Sequence, residues 1–388
     1  MKKTAEKFLP YARQSIDQSD IEAVTEALQS DFITRGPKTA ALEEAAAEYC
    51  GARFAVAFNS ATSGLIAACH VVEANPGDRL VTTPNSFVAT IAAGLRQGVE
   101  PLFIDIDPKM GNLDLDKLEA AEKRPSLRGR QIYLPVHFAG IPVDMRRLEK
   151  MIDDPRAVVI EDAAHAFGSF YPSGERVGSC AYSQMTVFSF HACKNITTAE
   201  GGLVTTNDRE LYKRLLRFRN NGIVKAPDEL GGDPPPWYYE VREITGNFHM
   251  SELQAALGLS QLKRVDQFAD KRRSLWRAYR ERLSDLPFIE PDDPEKCFLH
   301  LAVVRIPFEE RGLSRKELME TLKERGIGTQ VHYIPLYRHP FFTERRPDIH
   351  SYFPEMEAYY SEALTLPLFA DMEEDDVDRV VSVLKPLI

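Results

Sequence analysis

From residue 54 onward, short apolar runs alternate with helical stretches, and no other feature of the 388-residue chain restricts its fold as strongly. The runs fall at 54–58, 79–83, 102–106, 131–136, 158–162, 186–190 and 203–206. Several are apolar across consecutive positions, as strands covered on both faces are. Helical segments between them are long enough to carry a parallel crossover. The expected class is α/β, with a mostly parallel central sheet and helices on both faces.

The flanking segments read differently. Residues 17–29 form a helix with Ile21, Val24 and Leu28 on one face, broken by Asp31-Phe32-Ile33-Thr34-Arg35-Gly36-Pro37. Residues 226–239, with Gly231-Gly232-Asp233-Pro234-Pro235-Pro236, read as a long exposed loop or flap. A helical run over 251–283 then leads to a smaller α+β unit. Strands are expected there at 298–306 and 329–333. A helix opens on the capping-box pattern Ser314-Arg315-Lys316-Glu317 and ends near Gly326, and an amphipathic helix covers 373–387. We place the boundary at 255, giving a large domain over 1–255 and a small C-terminal one over 256–388.

Composition removes several classes. A hydrophobic share of 44% with 27% charged residues is that of a folded globular chain. A net charge of −10 lacks the basic footprint of a nucleic-acid binder, though a local basic pocket for a nucleotide is compatible with it. The five cysteines, Cys50, Cys69, Cys180, Cys193 and Cys297, are scattered without a CxxC pair. That is neither a disulfide framework nor a zinc site, and it fits reduced thiols in a cytoplasm. The basic start has no apolar stretch behind it and no run approaches the roughly 20 apolar residues of a membrane span. A cytoplasmic protein without membrane association is expected.

Open α/β sheets bind ligands beyond the carboxyl ends of their strands, so the residues standing there carry the functional argument. The run 158–162 ends in Glu161-Asp162-Ala163-Ala164-His165. Asp162 there is either a carboxylate that holds a ring nitrogen protonated or a strand-end aspartate capping the next turn. The next run leads through Ser189-Phe190-His191-Ala192-Cys193 to Lys194. A desolvated lysine at that point is a nucleophile toward carbonyls; otherwise it is an exposed loop lysine. Asn59-Ser60-Ala61-Thr62-Ser63-Gly64, at a strand-to-helix turn, offers amides, hydroxyls and a helix N-terminus to a phosphate, though Ser/Thr-rich caps are common. Phe87 follows another strand and either stacks on a planar ring or packs in the core. Together, a lysine, an acid on the neighbouring strand end and a phosphate cradle are what a pyridoxal 5′-phosphate (PLP) site requires. A metal site from His191, Cys193 and His165 is disfavoured, because the spacing fits no standard ligand pattern; no metal is expected.

These motifs, with Thr198-Ala199-Glu200-Gly201-Gly202 and Gly246-Asn247-Phe248-His249-Met250-Ser251-Glu252, resemble those of the DegT/DnrJ/EryC1/StrS sugar aminotransferases. The resemblance runs nearly end to end and implies the PLP-dependent transferase fold type I. It implies Lys194 as the Schiff-base and catalytic lysine, Asp162 on the pyridinium nitrogen and His165 near the cofactor's 3-hydroxyl. Ala61, Thr62, Ser63 and Ser189 would form the phosphate cradle, Phe87 would lie on the ring, and Asn247 would reach the phosphate in a neighbouring subunit. A homodimer with shared active sites follows, as does transfer of an amino group from L-glutamate to a nucleotide-linked keto sugar. Relatives that dehydrate sugars carry histidine where Lys194 stands, so lysine favours amino transfer. Tyr11, Asp31, Phe32, Ile33, Thr34, His332, Tyr333, Ile334 and Pro335 resemble the substrate-lining segments of the branch acting on UDP-linked 4-keto-6-deoxy sugars in the pseudaminic acid pathway. A perosamine-type or 3-keto sugar enzyme is the alternative, and a non-catalytic sensor on the same fold is another. Relatives often have arginine at His249; arginine is always charged, whereas histidine is charged only in part near neutral pH.

Overall fold

The computed structural model describes residues 8–123, 129–225, 229–230 and 234–388. Helices α1 (Gln18–Gln29) and α2 (Pro37–Cys50) come first. Asp17 caps α1 in a capping box with Asp20, and Pro37 sits in the first turn of α2 where its missing N–H costs nothing. The apolar stripe of α1 faces outward: Ile21 and Leu28 are exposed, while Asp20 and Ala27 are buried. Asp20 is held inside by Arg264 and Gln261.

Strand β1 (Phe54–Phe58), α3 (Ala61–Val71), β2 (Arg79–Thr82), α4 (Val88–Leu95), β3 (Glu100–Phe103), α5 (Leu115–Glu122), β4 (Gln131–Tyr133), α6 (Met145–Met151), β5 (Val158–Asp162), β6 (Met185–Ser189), β7 (Gly202–Thr206) and α7 (Arg209–Arg219) follow. The strands make one seven-stranded sheet in the order β1-β7-β6-β5-β4-β2-β3. It is mostly parallel, as expected, but β7 runs antiparallel to both β1 and β6. Strand β3 starts earlier than its apolar run suggested, because Glu100 pairs with Arg79 at the start of β2. Part of the 226–239 flap lies outside the described residues. Of the rest, Trp237 is 79% exposed, between the two-residue strands β8 (Ile223–Val224) and β9 (Glu240–Val241).

The helical run over 251–283 is two helices, α8 (Glu252–Leu262) and α9 (Val265–Arg282). The break falls at Arg264, whose guanidinium turns to Asp17 and Asp20 on α1. The C-terminal part has β10 (Ala302–Arg305), α10 (Arg315–Glu324), α11 (Pro340–Thr343), α12 (Pro354–Glu362), β11 (Ala363–Leu366) and α13 (Glu374–Leu384). Ser314 caps α10 as its pattern predicts, and α13 buries Val377, Val380, Val381 and Leu384. The strand expected at 329–333 is reduced to one bridge, Gln330 to Thr365. The backbone there leaves the ladder because His332 and Tyr333 turn toward a cleft. Strand β11, which pairs antiparallel with β10, was not foreseen.

Two junctions tie this C-terminal part to the sheet. Leu9 bridges Ile327, and the Leu368 amide donates to the Tyr11 carbonyl, which fixes Tyr11 beside the cleft. Phe298 lies against the 138–140 turn, where Gly140 has φ +88°, and a Cβ there would meet the Phe298 carbonyl oxygen at 1.9 Å. Both the left-handed conformation and the close approach require glycine. Gly140→Ala is expected to lower stability by about 2–4 kcal/mol, well beyond the roughly 1–2 kcal/mol of left-handed strain alone. Gly174→Ala, at φ +109° with nothing within 4 Å, supplies the control for strain without a clash. Urea unfolding of the two variants measures the difference; equal losses would refute the packing role given to Gly140.

Candidate active site

The carboxyl end of β5 carries two adjacent acids that strand geometry sends to opposite sides. Glu161 is fully buried and accepts hydrogen bonds from Tyr171 Oη (2.7 Å), Ser183 Oγ (2.5 Å) and Thr186 Oγ1 (2.8 Å), and pairs with His137 Nε2 at 2.7 Å. Burial by itself raises its pKa, but His137 and these hydroxyls outweigh that and hold the carboxyl below its ordinary value. Asp162 faces a cleft. Its Oδ2 accepts from Thr90 Oγ1 at 2.7 Å and its Oδ1 from the Ala164 amide at 3.2 Å. It is 5% exposed and stands in no ion pair among the described residues. Burial raises its pKa, and Thr90, the Ala164 amide and Lys194 only partly oppose the rise.

Lys194 sits in the turn after β6, with its amide donating to the His191 carbonyl at 2.9 Å. Burial pushes its amine down to about 8, against the opposing pull of Asp162 and Cys193. The next residue, Asn195, anchors this turn by donating to the His165 and Phe167 carbonyls at 3.1 and 2.8 Å. At the other side of the cleft, Ser60 caps α3 by accepting from the Ser63 amide at 3.2 Å. The amides of Ala61 and Thr62 in the first turn have no intrahelical acceptor and are free for an anion. Strand β7 passes this turn closely, since a Cβ on Gly202 would lie 2.4 Å from the Ala61 nitrogen.

The cleft holds about 980 Å³. It brings together Tyr11, Ala61, Thr62, Phe87, Asp162, His165, Ser189, Lys194, His332, Tyr333 and Ile334 from the sequence-derived set. Ser63, Asn247, Pro335 and the segment from Asp31 to Thr34 do not line it. Ser63 Oγ is committed to Asn59 at 2.7 Å. Pro335 is buried, with the next amide, that of Leu336, donating to Pro84. Asp31, Phe32, Ile33, Thr34 and Asn247 are exposed. His249, beside Asn247, approaches Asn220 Oδ1 at 3.2 Å, and burial followed by Arg219 and Arg35 pushes it down to about 4. It is therefore neutral near pH 7. Lys194 is the only lysine or arginine among the described residues lining the cleft.

Two contributors were not read from the sequence. Thr90 is the only polar side chain in the apolar run of α4, and His300 is the only one in Phe298-Leu299-His300-Leu301. A lone polar residue on a buried run was the signal available in both cases. The His300 and His165 rings lie 4.4 Å apart, and Tyr333 Oη is 3.0 Å from His165 Nε2.

These residues fit a phosphorylated, cationic, carbonyl-bearing ring. Asp162 is a buried carboxylate lacking a cation, Lys194 a suppressed amine, and the α3 N-terminus a free anion cradle. Such a combination defines a PLP-dependent enzyme of the α/β transferase type. The DegT/DnrJ/EryC1/StrS aminotransferase family profile matches residues 14–385, and the chain belongs to that family. The spore coat polysaccharide biosynthesis protein SpsC of Bacillus subtilis is 36% identical, over 98% of this chain and 97% of its own length. PseC of Helicobacter pylori, an aminotransferase involved in the biosynthesis of pseudoaminic acid, superimposes with a TM-score of 0.87. It is 33% identical and covers 98% of this chain and 99% of its own. Spr1654 of Streptococcus pneumoniae, solved in PLP and PMP forms, is 27% identical with a TM-score of 0.86 for the PLP form. That comparison spans 98% of this chain and 100% of the other. The chain is a PLP-dependent sugar aminotransferase of fold type I.

Two expectations follow from this geometry. Thr90→Val keeps the shape but removes a hydrogen bond to a buried charge, worth about 1.5–3 kcal/mol. PLP affinity should fall about 10- to 100-fold, read by absorbance titration of apoprotein; unchanged affinity would remove Thr90 from the site. The second concerns acid. Burial pushes His332 down to about 3 from an ordinary value of 6.5. The folded chain thus binds fewer protons than the unfolded one between those values. This histidine's stabilisation is complete above about pH 6.5 and is lost as pH falls through the folded value, by about 1.4 kcal/mol per pH unit. Denaturant unfolding of apoprotein between pH 6 and 5 should show a slope shallower by about that amount in His332→Asn. Parallel slopes would contradict the assignment.

Proposed function

We propose that the chain transfers an amino group from L-glutamate to C4 of a nucleotide-linked 4-keto-6-deoxy sugar, with UDP-2-acetamido-2,6-dideoxy-β-L-arabino-hexos-4-ulose as the substrate. The observation that carries the chemistry is Lys194, an amine pushed down to about 8 in the same cleft as Asp162, a carboxylate in no ion pair among the described residues. The likeness to PseC, at 33% identity over 98% of the chain, supports the sugar. A 4-aminotransferase acting on another nucleotide sugar is the second reading, supported by the similar identity to the spore coat protein SpsC.

When bound, PLP supplies a carbonyl for amines to condense with and a ring that accepts electrons. The protein's own part is to orient, exclude water and move protons. Asp162 is placed to hold a proton on the ring nitrogen, since a cation beside it would relieve its buried charge. The Ala61 and Thr62 amides, with the Thr62 and Ser189 hydroxyls, would take the phosphate, and Ser63 braces that turn through Asn59. Phe87, 59% exposed at the cleft wall, would pack against the ring. Lys194 Nζ would act as the base at the donor's α-carbon and as the acid at C4 of the sugar, so that one proton is taken and one returned over the two half-reactions. Glutamate leaves as 2-oxoglutarate and the keto sugar as an amino sugar.

Tyr11, His332, Tyr333 and Ile334 form the sugar side, whereas Pro335 does not line the cleft. A diphosphate needs cations that the cleft's own lining, apart from Lys194, does not hold. The exposed Asn247 and the segment Asp31, Phe32, Ile33, Thr34 serve a neighbouring copy in a homodimer with shared sites. The exposed Ile21, Leu28, Phe32 and Ile33 give such a dimer an apolar face. The reduced, scattered cysteines fit a cytoplasmic enzyme, and no helix among the described residues is long and apolar enough to cross a membrane.

Purified enzyme is expected to carry a visible absorbance band that shifts on adding glutamate. Lys194→Ala should lose that shift and more than about a thousandfold of amino transfer, within the range for removing a positioned acid–base group. Normal turnover in the variant would sink the assignment. A panel of UDP-, GDP- and dTDP-linked keto sugars decides the substrate: preference for a GDP- or dTDP-sugar would favour the second reading.

A further inference from the structure

His300 belongs to the segment that leads into β10, yet its ring enters the site built on the sheet. Its centroid stands 4.4 Å from that of His165, with the planes tilted by 35°. Its backbone is gripped from both sides. The His300 amide donates to the Ala139 carbonyl at 2.8 Å, and Arg272 Nη1 donates to the His300 carbonyl at 3.1 Å and to the Leu368 carbonyl at 2.8 Å. Gly140 permits this approach, because a side chain there would strike the Phe298 carbonyl at 1.9 Å and the His165 carbonyl at 3.1 Å. His165 thus has Tyr333 on Nε2 at 3.0 Å and His300 against its ring, both from beyond the sheet. The Nδ1 atoms of both histidines are buried without a protein partner.

We infer that His300 is a positioning residue for amino transfer: its ring seals His165 from water and fixes it against the cofactor. The inference rests on the reading above that His165 lies at the cofactor's 3-hydroxyl. The sealing follows from the packing alone. His165 is 5% exposed and His300 is 5% exposed, so neither ring is solvated while the stack persists. The charged and titratable groups facing the pair are Lys194 in the turn after β6, Asp162 on β5, His332 and Tyr333 in the 330–334 segment, and Arg272 on α9. Burial holds both well below the ordinary histidine value, and Lys194 opposes protonation of both while Arg272 opposes that of His300. A neutral imidazole beside a phenolic oxygen can exchange a hydrogen bond with it without competing for the charge that Asp162 must balance. The C-terminal part of the chain therefore helps to bury a histidine in the turn after β5.

The test separates packing from cofactor. In apoprotein, the His165 titration midpoint is followed by NMR of labelled histidine in the wild type and in His300→Ala, His300→Gln and His300→Phe. The ring-deleting Ala and Gln variants should admit water and raise the His165 midpoint by at least about one pH unit, a tenfold change in proton affinity. His300→Phe retains the stack and should leave the midpoint within a few tenths of a unit. In PLP-loaded protein, the pH midpoint of the visible band should move in Ala and Gln and be restored in Phe. An unmoved His165 midpoint in whichever ring-deleting variant folds overturns the inference, as does an equal shift in Phe. If His165 moves and the visible band does not, the placement of His165 against the cofactor is wrong and the functional half of the inference falls with it. The assignment of Lys194 is unaffected by that outcome and fails only on its own variant.

Discussion

Everything at this site depends on the carboxyl end of β5, where two acids in succession are treated in opposite ways. Glu161 is given four partners, His137, Tyr171, Ser183 and Thr186, and is satisfied where it lies. Breaking such a buried network is costly, so it pins the strand's register. A slip of one residue would exchange the two faces. Asp162 is thereby committed to the cleft with only Thr90 and one amide to hold it. A buried carboxylate left that way is costly in the free protein. Pairing with a cationic ring would offset that cost, and such a linkage would couple cofactor affinity to the fold.

The same economy governs Lys194. Its turn is fixed by hydrogen bonds of neighbouring residues, chiefly Asn195 to the His165 and Phe167 carbonyls, and not by contacts of the amine itself. The amine is left crowded and pushed down to about 8, so that more of it is unprotonated near neutral pH than of an ordinary lysine. Lysine and aspartate reach the cleft on adjacent parallel strands, β5 and β6, which is where an open α/β sheet gathers its ligands. The C-terminal part adds His332 and Tyr333 from the 330–334 segment, and His300 through a contact that Gly140 makes possible.

Much of this was legible before any coordinates. The apolar runs gave the strands because sheet burial writes itself locally in sequence, and Asp162 and Lys194 were visible as charges at the ends of such runs. The direction of β7 was not, since nothing in Leu203-Val204-Thr205-Thr206 distinguishes a parallel from an antiparallel neighbour. The 251–283 run looked continuous because Arg264 is a good helix former; its partners Asp17 and Asp20 lie far away in the chain and bend the backbone there. Residues 329–333 have a strand's composition, but Tyr333 reaches His165 in the cleft, and His332 lines the cleft while its Nδ1 bonds to Thr365 on β11. Thr90 and His300 were missed for the same reason: each acts through a partner distant in sequence. The segment Asp31, Phe32, Ile33, Thr34 and the residue Asn247 were drawn from resemblance, and within one chain they lie on the surface instead of in the cleft.

The central claim is that Lys194 is the amine that holds the cofactor. Reduction of the purified holoenzyme with borohydride, followed by proteolysis and mass spectrometry, tests it directly. The phosphopyridoxyl group should be fixed on the peptide containing Lys194 and on no other lysine. A label elsewhere, or none on protein that binds PLP, would contradict it.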